Sequence, residues 1–314
     1  MKASRQTTLR APIVITGSGV HGGQPVSMTL HPAPANSGVT FLRTNLPNGH
    51  ERLLEARHLA VSATALCTVI GDSESGSVAT IEHLMSALAG LGVDNVCIEI
   101  DGPEVPILDG SAAAYVDAIA GVGVVEQQAW RRYVKVLRPV RVEMGKAHAE
   151  MRPYDRGFRL DVEIDFDTPV IGRQRMVFDL TPDAYRRDIA RARTFGFMSD
   201  VEALWKQGFA RGASLENTVA LGPDGVINPE GVRWPDEFVR HKILDAIGDL
   251  SLAGAPIVGM YRSYCGGHRL NYMMLEALFA DRANYAIVDM APRRETGHAE
   301  APAVAVAAFS PQVH

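Results

Sequence analysis

Glu237-Phe238-Val239-Arg240-His241-Lys242-Ile243-Leu244-Asp245-Ala246-Ile247-Gly248-Asp249 is the stretch on which the fold turns. At 3.6 residues per turn, His241, Asp245 and Asp249 form one polar stripe along an otherwise apolar helix. The helix is predicted from Asp236 to Ala253, stopped by Gly254 and Pro256. Two neighbours on such a stripe can hold one metal ion. A second helix-like run, Thr80-Ile81-Glu82-His83-Leu84-Met85-Ser86-Ala87-Leu88-Ala89-Gly90, sets a carboxylate and an imidazole side by side among apolar residues. If His83 joins His241 and Asp245, the His2Asp set leaves one tetrahedral position for water, the open geometry of a catalytic zinc site. Iron(II) suits the same ligands. Glu82 then stands where a base is needed.

The chain has 314 residues, beyond the usual single-domain range, so two domains are expected. With 46% hydrophobic and 21% charged residues it has the composition of a globular protein. A formal charge of −5 offers no footprint for nucleic acid or an anionic membrane. No apolar run approaches the ~20 residues of a membrane span, and Met1-Lys2-Ala3-Ser4-Arg5-Gln6 lacks the apolar segment of a secretory signal. A cytoplasmic location is expected. Cys67, Cys97 and Cys265 are odd in number and far apart, which fits neither a disulfide framework nor a cysteine zinc site.

Alternating stretches such as Ser27 to Leu30, Val39 to Leu42 and Val96 to Ile100 predict strands around a helix at about Thr80 to Leu91, with another helix at Ala112 to Ala120. The glycines and polar residues of 121–128 suggest a linker between residues 1–126 and 127–314. Beyond it a similar programme begins again. Strands at Tyr133 to Val142, Ala147 to Met151 and Phe158 to Phe166 precede helices at Pro182 to Ala192 and Asp236 to Ala253. The fold class is α+β, and the like size patterns of the two histidine-bearing helices hint at duplication, with the halves facing each other across the metal.

Each motif also has a plainer use. His241 and Asp245 could share a helix-surface hydrogen bond. Thr80 could cap its helix, with Glu82 favouring the dipole of the first turn. In the metalloprotease motif a glutamate follows a zinc-ligand histidine, whereas here Glu82 precedes His83. His268, in Cys265-Gly266-Gly267-His268, is a loop histidine suited to general acid work or to nothing more than the surface. Arg191 and Arg193 before Thr194 would complement a helix C-terminus, and Thr194 could stabilise an oxyanion. Gly17-Ser18-Gly19-Val20-His21-Gly22-Gly23 lacks the spacing of a nucleotide cradle and suits a substrate-side loop or hairpin turn.

Taken together, Gly17 to Gly23, Thr80 to Gly92, Pro106-Ile107-Leu108-Asp109-Gly110-Ser111, Arg193 to Phe197 and Glu237 to Asp249 resemble the UDP-3-O-acyl-N-acetylglucosamine deacetylases, zinc amidases of lipid A synthesis. The resemblance is collinear and spans essentially the whole chain. It implies two similar domains, each a β-sheet with a helix layer, the helices sandwiched between the two sheets. It implies His83, His241 and Asp245 as zinc ligands, Glu82 as general base and His268 as general acid, with Asp249 orienting His268. Zinc would polarise the acetamide carbonyl and its water, and Thr194 and Lys242 would help it stabilise the oxyanion. Acetate would then leave UDP-3-O-acyl-glucosamine.

The resemblance also assigns an insert at about 194–221 to an acyl channel, with Met198, Val201, Ala213, Leu215, Thr218 and Ala220 as lining candidates. Phe195 would line the same side, Phe166 would meet the uracil, and His21 would touch substrate. The expected partner is the acylated UDP-amino sugar alone, bound by a monomer at the inner face of the cytoplasmic membrane without inserting into it. Two features depart from the family pattern. Cys265 stands where many members carry a lysine that reaches the diphosphate, leaving that task to Arg262 or Arg269 or weakening the contact. Lys146 is shifted by about one position. A zinc deacetylase of another N-acyl sugar, or a non-catalytic acyl-nucleotide binder of the same fold, are the alternatives.

Overall fold

The computed structural model describes residues 4–289, so the last part of the expected second domain, 290–314, lies outside the described residues. Alternation along Pro25–Pro32, Val39–Arg43 and Val96–Ile100 turns Met28, Leu30, Phe41, Ile98 and Ile100 to one face, where none is exposed to solvent. These strands build a five-stranded sheet in the spatial order Ile13–Ser18, Pro25–Pro32, Val96–Ile100, Val39–Arg43, Arg52–Glu55. Its only parallel pair is Val39–Arg43 with Val96–Ile100.

A seven-stranded sheet occupies the other half of the molecule. Val140–Met144, Ala147–Arg152, Ile257–Tyr264, Arg132–Val136 and Tyr285–Asp289 follow one another across it, and Phe158–Asp165 joins Ile257–Tyr264 to Arg173–Asp179. The helix Glu237–Ser251 packs on Phe158–Asp165 and Arg173–Asp179, and His268–Ala280 packs on Val140–Met144 and Ala147–Arg152. The helix Glu82–Leu91 lies along Glu237–Ser251, so the helices are sandwiched between the sheets in an α+β fold.

That position explains the composition of the two central helices. A helix covered on all sides has no need of a polar face, and every residue of Glu82–Leu91 except Ala89 is buried. Leu84, Leu88, Ile243, Leu244, Ile247 and Leu250 are at most 2% exposed, and each contributes roughly 2 kcal/mol by leaving water. Gly248 lets the backbones meet: a Cβ there would stand 2.0 Å from the Glu82 carbonyl oxygen. Gly92, at φ +73, ends the shorter helix by returning its N–H to the Leu88 and Ala89 carbonyls.

Several local expectations are corrected. Residues 121–128 are not a linker: the helix Ala113–Val122 runs into the strand Val124–Trp130, which pairs antiparallel with Arg5–Leu9. Cross-strand hydrogen bonding there outweighs the local glycine signal. We keep residues 1–126 and 127–314 as a proposed division, with its boundary inside that strand. Tyr133 to Val142 is broken at 137–139, before Val140, into two strands. The stretch from Pro182 becomes a turn of α-helix capped by Thr181 and a π-type turn over Tyr185–Ile189, so Arg191 and Arg193 do not sit in a helix's last turn. Arg193 is instead buried against Glu237 and Glu230, at 3.0 and 2.7 Å.

Candidate metal centre and active site

The sandwich brings His83, at the start of one central helix, against His241 and Asp245 in the middle of the other. One ligand atom from each lies within 4.8 Å of the other two. Asp245 Oδ1 is 3.3 Å from His241 Nε2 and 3.6 Å from His83 Nε2, and the two imidazoles meet edge to face with centroids 5.0 Å apart. His241 donates from Nδ1 to the Ala192 carbonyl at 3.0 Å, which turns the Nε2 lone pair inward.

These residues fit a divalent cation. Asp245 Oδ1 and His83 Nδ1 are buried without a hydrogen-bond partner, and a carboxylate oxygen left so costs free energy that a cation at the convergence point removes. Burial, aided by His83 and Lys242, lowers the His241 pKa to about 3 and keeps the ring a neutral donor. Burial opposes ionisation of Asp245, but its neighbours His241 and Lys242 hold its pKa well below the ordinary carboxylate value. Lys242 Nζ lies 2.7 Å from Oδ2. The plain helix-surface hydrogen bond is ruled out, since His241 and Asp245 are each 2% exposed.

A second cluster adjoins the first. Glu82, Asp249 and His268 also converge within 4.8 Å. His268 Nδ1 donates to Asp249 Oδ2 at 2.9 Å, and its Nε2 faces Glu82 Oε1 at 3.9 Å. Burial would lower the His268 pKa, yet Asp249 and then Glu82 raise it to about 10. The Glu82 pKa is raised by burial, against the pull of His268 and His83. One carboxylate and one imidazolium are thereby poised on either side of a common space.

His268 is not a loop residue but the first residue of its helix, which begins where Gly267 ends an extended segment. The capping use of Thr80 is likewise corrected. Its backbone is left-handed at φ +57, Ile81 takes the cap position without a side-chain bond, and the Thr80 hydroxyl donates to Glu104 instead.

The neighbours that fix these groups were not expected. Thr68 donates its N–H to Glu82 Oε2 at 3.0 Å and its hydroxyl to Asp249 Oδ1 at 2.6 Å. Asn271 donates to Asp249 Oδ2 at 2.8 Å and accepts from Tyr261 at 2.6 Å. Asn271 was findable, because it stands three residues beyond His268 on the same helix face. Nothing local marks Thr68.

Beyond the ionisable centre lies an aromatic wall. Phe195 packs edge to face on Phe238, Phe166 and His241, at 5.0, 5.7 and 6.2 Å between centroids, and Lys242 Nζ lies 5.4 Å from its ring centre. Thr194 precedes it, half-buried, its N–H bound to the Gly110 carbonyl at 2.8 Å. The 194–221 segment forms a parallel pair, Phe195–Phe197 with Val219–Leu221, around the short helix Val201–Lys206. A cavity of about 540 Å³ opens here, lined by Phe166, Phe197, Met198 and Leu221 among others. Phe197 was not singled out from sequence. Val201, Ala213, Leu215, Thr218 and Ala220 belong to the same segment but do not line this cavity. His21 sits in the hairpin loop between Ile13–Ser18 and Pro25–Pro32, its ring edge to face with Phe209 at 5.3 Å. A cavity of about 140 Å³ elsewhere between the sheets, beside Met85, Leu88, Ile247 and Leu250, holds none of these ionisable groups.

The chain is similar to known proteins over most of its length. Residues 6–280 match the family described as UDP-3-O-acyl N-acetylglycosamine deacetylase. Relatives named UDP-3-O-acyl-N-acetylglucosamine deacetylase from Brucella ovis and Brucella canis are each 47% identical over 285 residues, covering 90% of this chain and 98% of theirs. One from Brucella melitensis has the same identity and coverage. The chain belongs to the UDP-3-O-acyl N-acetylglycosamine deacetylase family.

Proposed function

We propose that this chain hydrolyses the N-acetyl group of UDP-3-O-acyl-N-acetylglucosamine, giving acetate and the free amine for lipid A synthesis. The observation that carries the reading is the meeting of two clusters: a His2Asp set with an orphaned carboxylate oxygen beside a base-and-acid pair 3.9 Å apart. His83, His241 and Asp245 would hold a divalent cation, Zn2+ by donor type with Fe2+ as the other candidate. When bound, the cation supplies Lewis acidity toward the amide carbonyl and acidifies the attacking water.

Glu82 takes a proton from that water. Its carboxylate is held by the Thr68 N–H and faces the acid rather than solvent. His268 arrives protonated at neutral pH and gives the Nε2 proton to the leaving sugar nitrogen, while Asp249 holds the ring through Nδ1. The Thr194 hydroxyl and Lys242 ammonium serve the developing oxyanion, each donor worth a few kcal/mol. Lys242 also steadies the ligand Asp245.

Phe166, Phe195, Phe197 and Met198 offer an apolar bed for the nucleoside and acyl parts of the substrate. Val201, Ala213, Leu215, Thr218 and Ala220 extend the proposed acyl path along the insert, and His21 meets substrate from the hairpin loop. The reaction partner is a small molecule, and no helix among the described residues is long and apolar enough to cross a membrane. We place the enzyme in the cytoplasm, as a monomer working near the membrane face. Acetate release from UDP-3-O-acyl-N-acetylglucosamine, followed through chelation and metal restoration, tests the proposal; turnover indifferent to chelation overturns it.

A further inference from the structure

We infer that Glu104 is a positioning residue whose buried carboxylate ties the substrate-side loop, and through it the insert, to the junction that carries Glu82 and His83. The inference rests on the deacetylase reading for its kinetic consequence alone. Glu104 is 7% exposed. Its Oε1 accepts from the His21 N–H at 2.8 Å and from the Thr80 hydroxyl at 3.0 Å, and its Oε2 accepts from the Gly22 N–H at 2.9 Å. Bonds to an ionised acceptor are about twice as strong as neutral ones, so three of them onto one carboxylate make a firm anchor.

The loop is wrapped closely around that anchor. A Cβ at Gly19 would stand 2.1 Å from Glu104 Oε2, and one at Gly22 would stand 3.4 Å from it. The loop in turn holds the insert. Arg211 donates its N–H to the His21 carbonyl and Gly212 to that of Val20, both at 3.0 Å, and the Ala210 N–H reaches His21 Nδ1 at 3.4 Å. A Cβ at Gly212 would stand 2.2 Å from the Gly19 carbonyl oxygen. On the opposite side, Thr80 lies two residues before Glu82 in its left-handed conformation, and Ala79 and Glu104 form a backbone bridge. The insert wall, the His21 ring and the catalytic junction therefore share one polar fastening. His21 Nε2 is buried within the same fastening and has no hydrogen-bond partner there.

Glu104 touches none of the proposed metal ligands, so its loss should loosen substrate binding rather than stop the chemistry. The test compares full-length wild type with Glu104→Gln, which sets an NH2 against N–H and O–H donors, and with Gly19→Ala, which pushes the loop off the carboxylate from the other side. Expected for both are unchanged metal content, kcat within about threefold of wild type and KM raised about tenfold, the size of one lost charge-assisted bond. Amide exchange should accelerate about tenfold or more at 20–22 and 209–212 together, the signature of a shared fastening coming undone. Glu104→Asp should recover part of both effects. Unchanged exchange in the insert overturns the inference, as does an equal fall in kcat with KM unmoved. Should Glu104→Gln fail to fold, Gly19→Ala decides by the same criteria. A wild type without deacetylase turnover defeats the functional reading while the exchange result still stands or falls separately.

Discussion

His268 and Asp249 are joined by a 2.9 Å hydrogen bond from Nδ1 to Oδ2, and the charges of Asp249 and then Glu82 hold the imidazole protonated in a site whose burial favours the neutral ring. The Asp249 carboxylate is in turn saturated by Thr68 and Asn271, so it has no freedom to turn away.

The first prediction concerns pH. Because the folded pKa of His268, about 10, lies above the ordinary 6.5, the ring is a proton donor up to the alkaline range. Asp249→Asn removes the larger of the two anions and lets burial pull the value down. The alkaline limb of the kcat/KM profile should move to lower pH, with turnover at pH 8 falling by ~100-fold or more, the usual worth of a general acid. A profile whose alkaline limb does not move would remove His268 from the acid role. The same shift has a stability consequence. Proton binding by the folded state stabilises it fully below pH 6.5, and that stability is lost as pH rises toward 10. Metal-free Asp249→Asn should show a shallower decline over this window in denaturant titrations.

Glu82→Gln keeps the shape and the Thr68 contact but cannot take a proton. Metal content by elemental analysis should match wild type while kcat falls by ~100- to 10,000-fold. Retention of turnover within about tenfold would mean that another group is the base.

His83→Ala and His241→Ala each remove one of three ligands. Both should lose bound metal on gel filtration and show no Tm increase on adding Zn2+. Wild type at 100 times its Kd should gain about 2.7 kcal/mol from the same addition. Equal metal retention by either variant would show that the His2Asp set is not the site.

Gly248→Ala tests the helix contact itself. The new Cβ would stand 2.0 Å from the Glu82 carbonyl oxygen, so the two helices must separate. A loss of about 1–3 kcal/mol is expected from overpacking, with weaker metal binding because His83 moves relative to His241. An unchanged Tm with full metal affinity would contradict the close approach.

The sequence by itself determined the two central helices and the polar stripe on the longer one. The four-residue steps from His241 to Asp245 to Asp249 are a property of the helix, which any chain adopting it must obey. The adjacency of Glu82 and His83 and the alternation of Met28 and Leu30 are local in the same sense. Tertiary structure alone decided what meets across long separations. Thr68 and Asp249 are 181 residues apart, His21 and Glu104 83 apart, and neither pair has a periodicity to betray it. It also overrode local preference: the glycine signal of 121–128 yielded to pairing with Arg5–Leu9, and Thr80 gave up the helix cap for a bond to Glu104. Strand register and the packing of two helix layers set those contacts, and neither is a function of neighbouring residues.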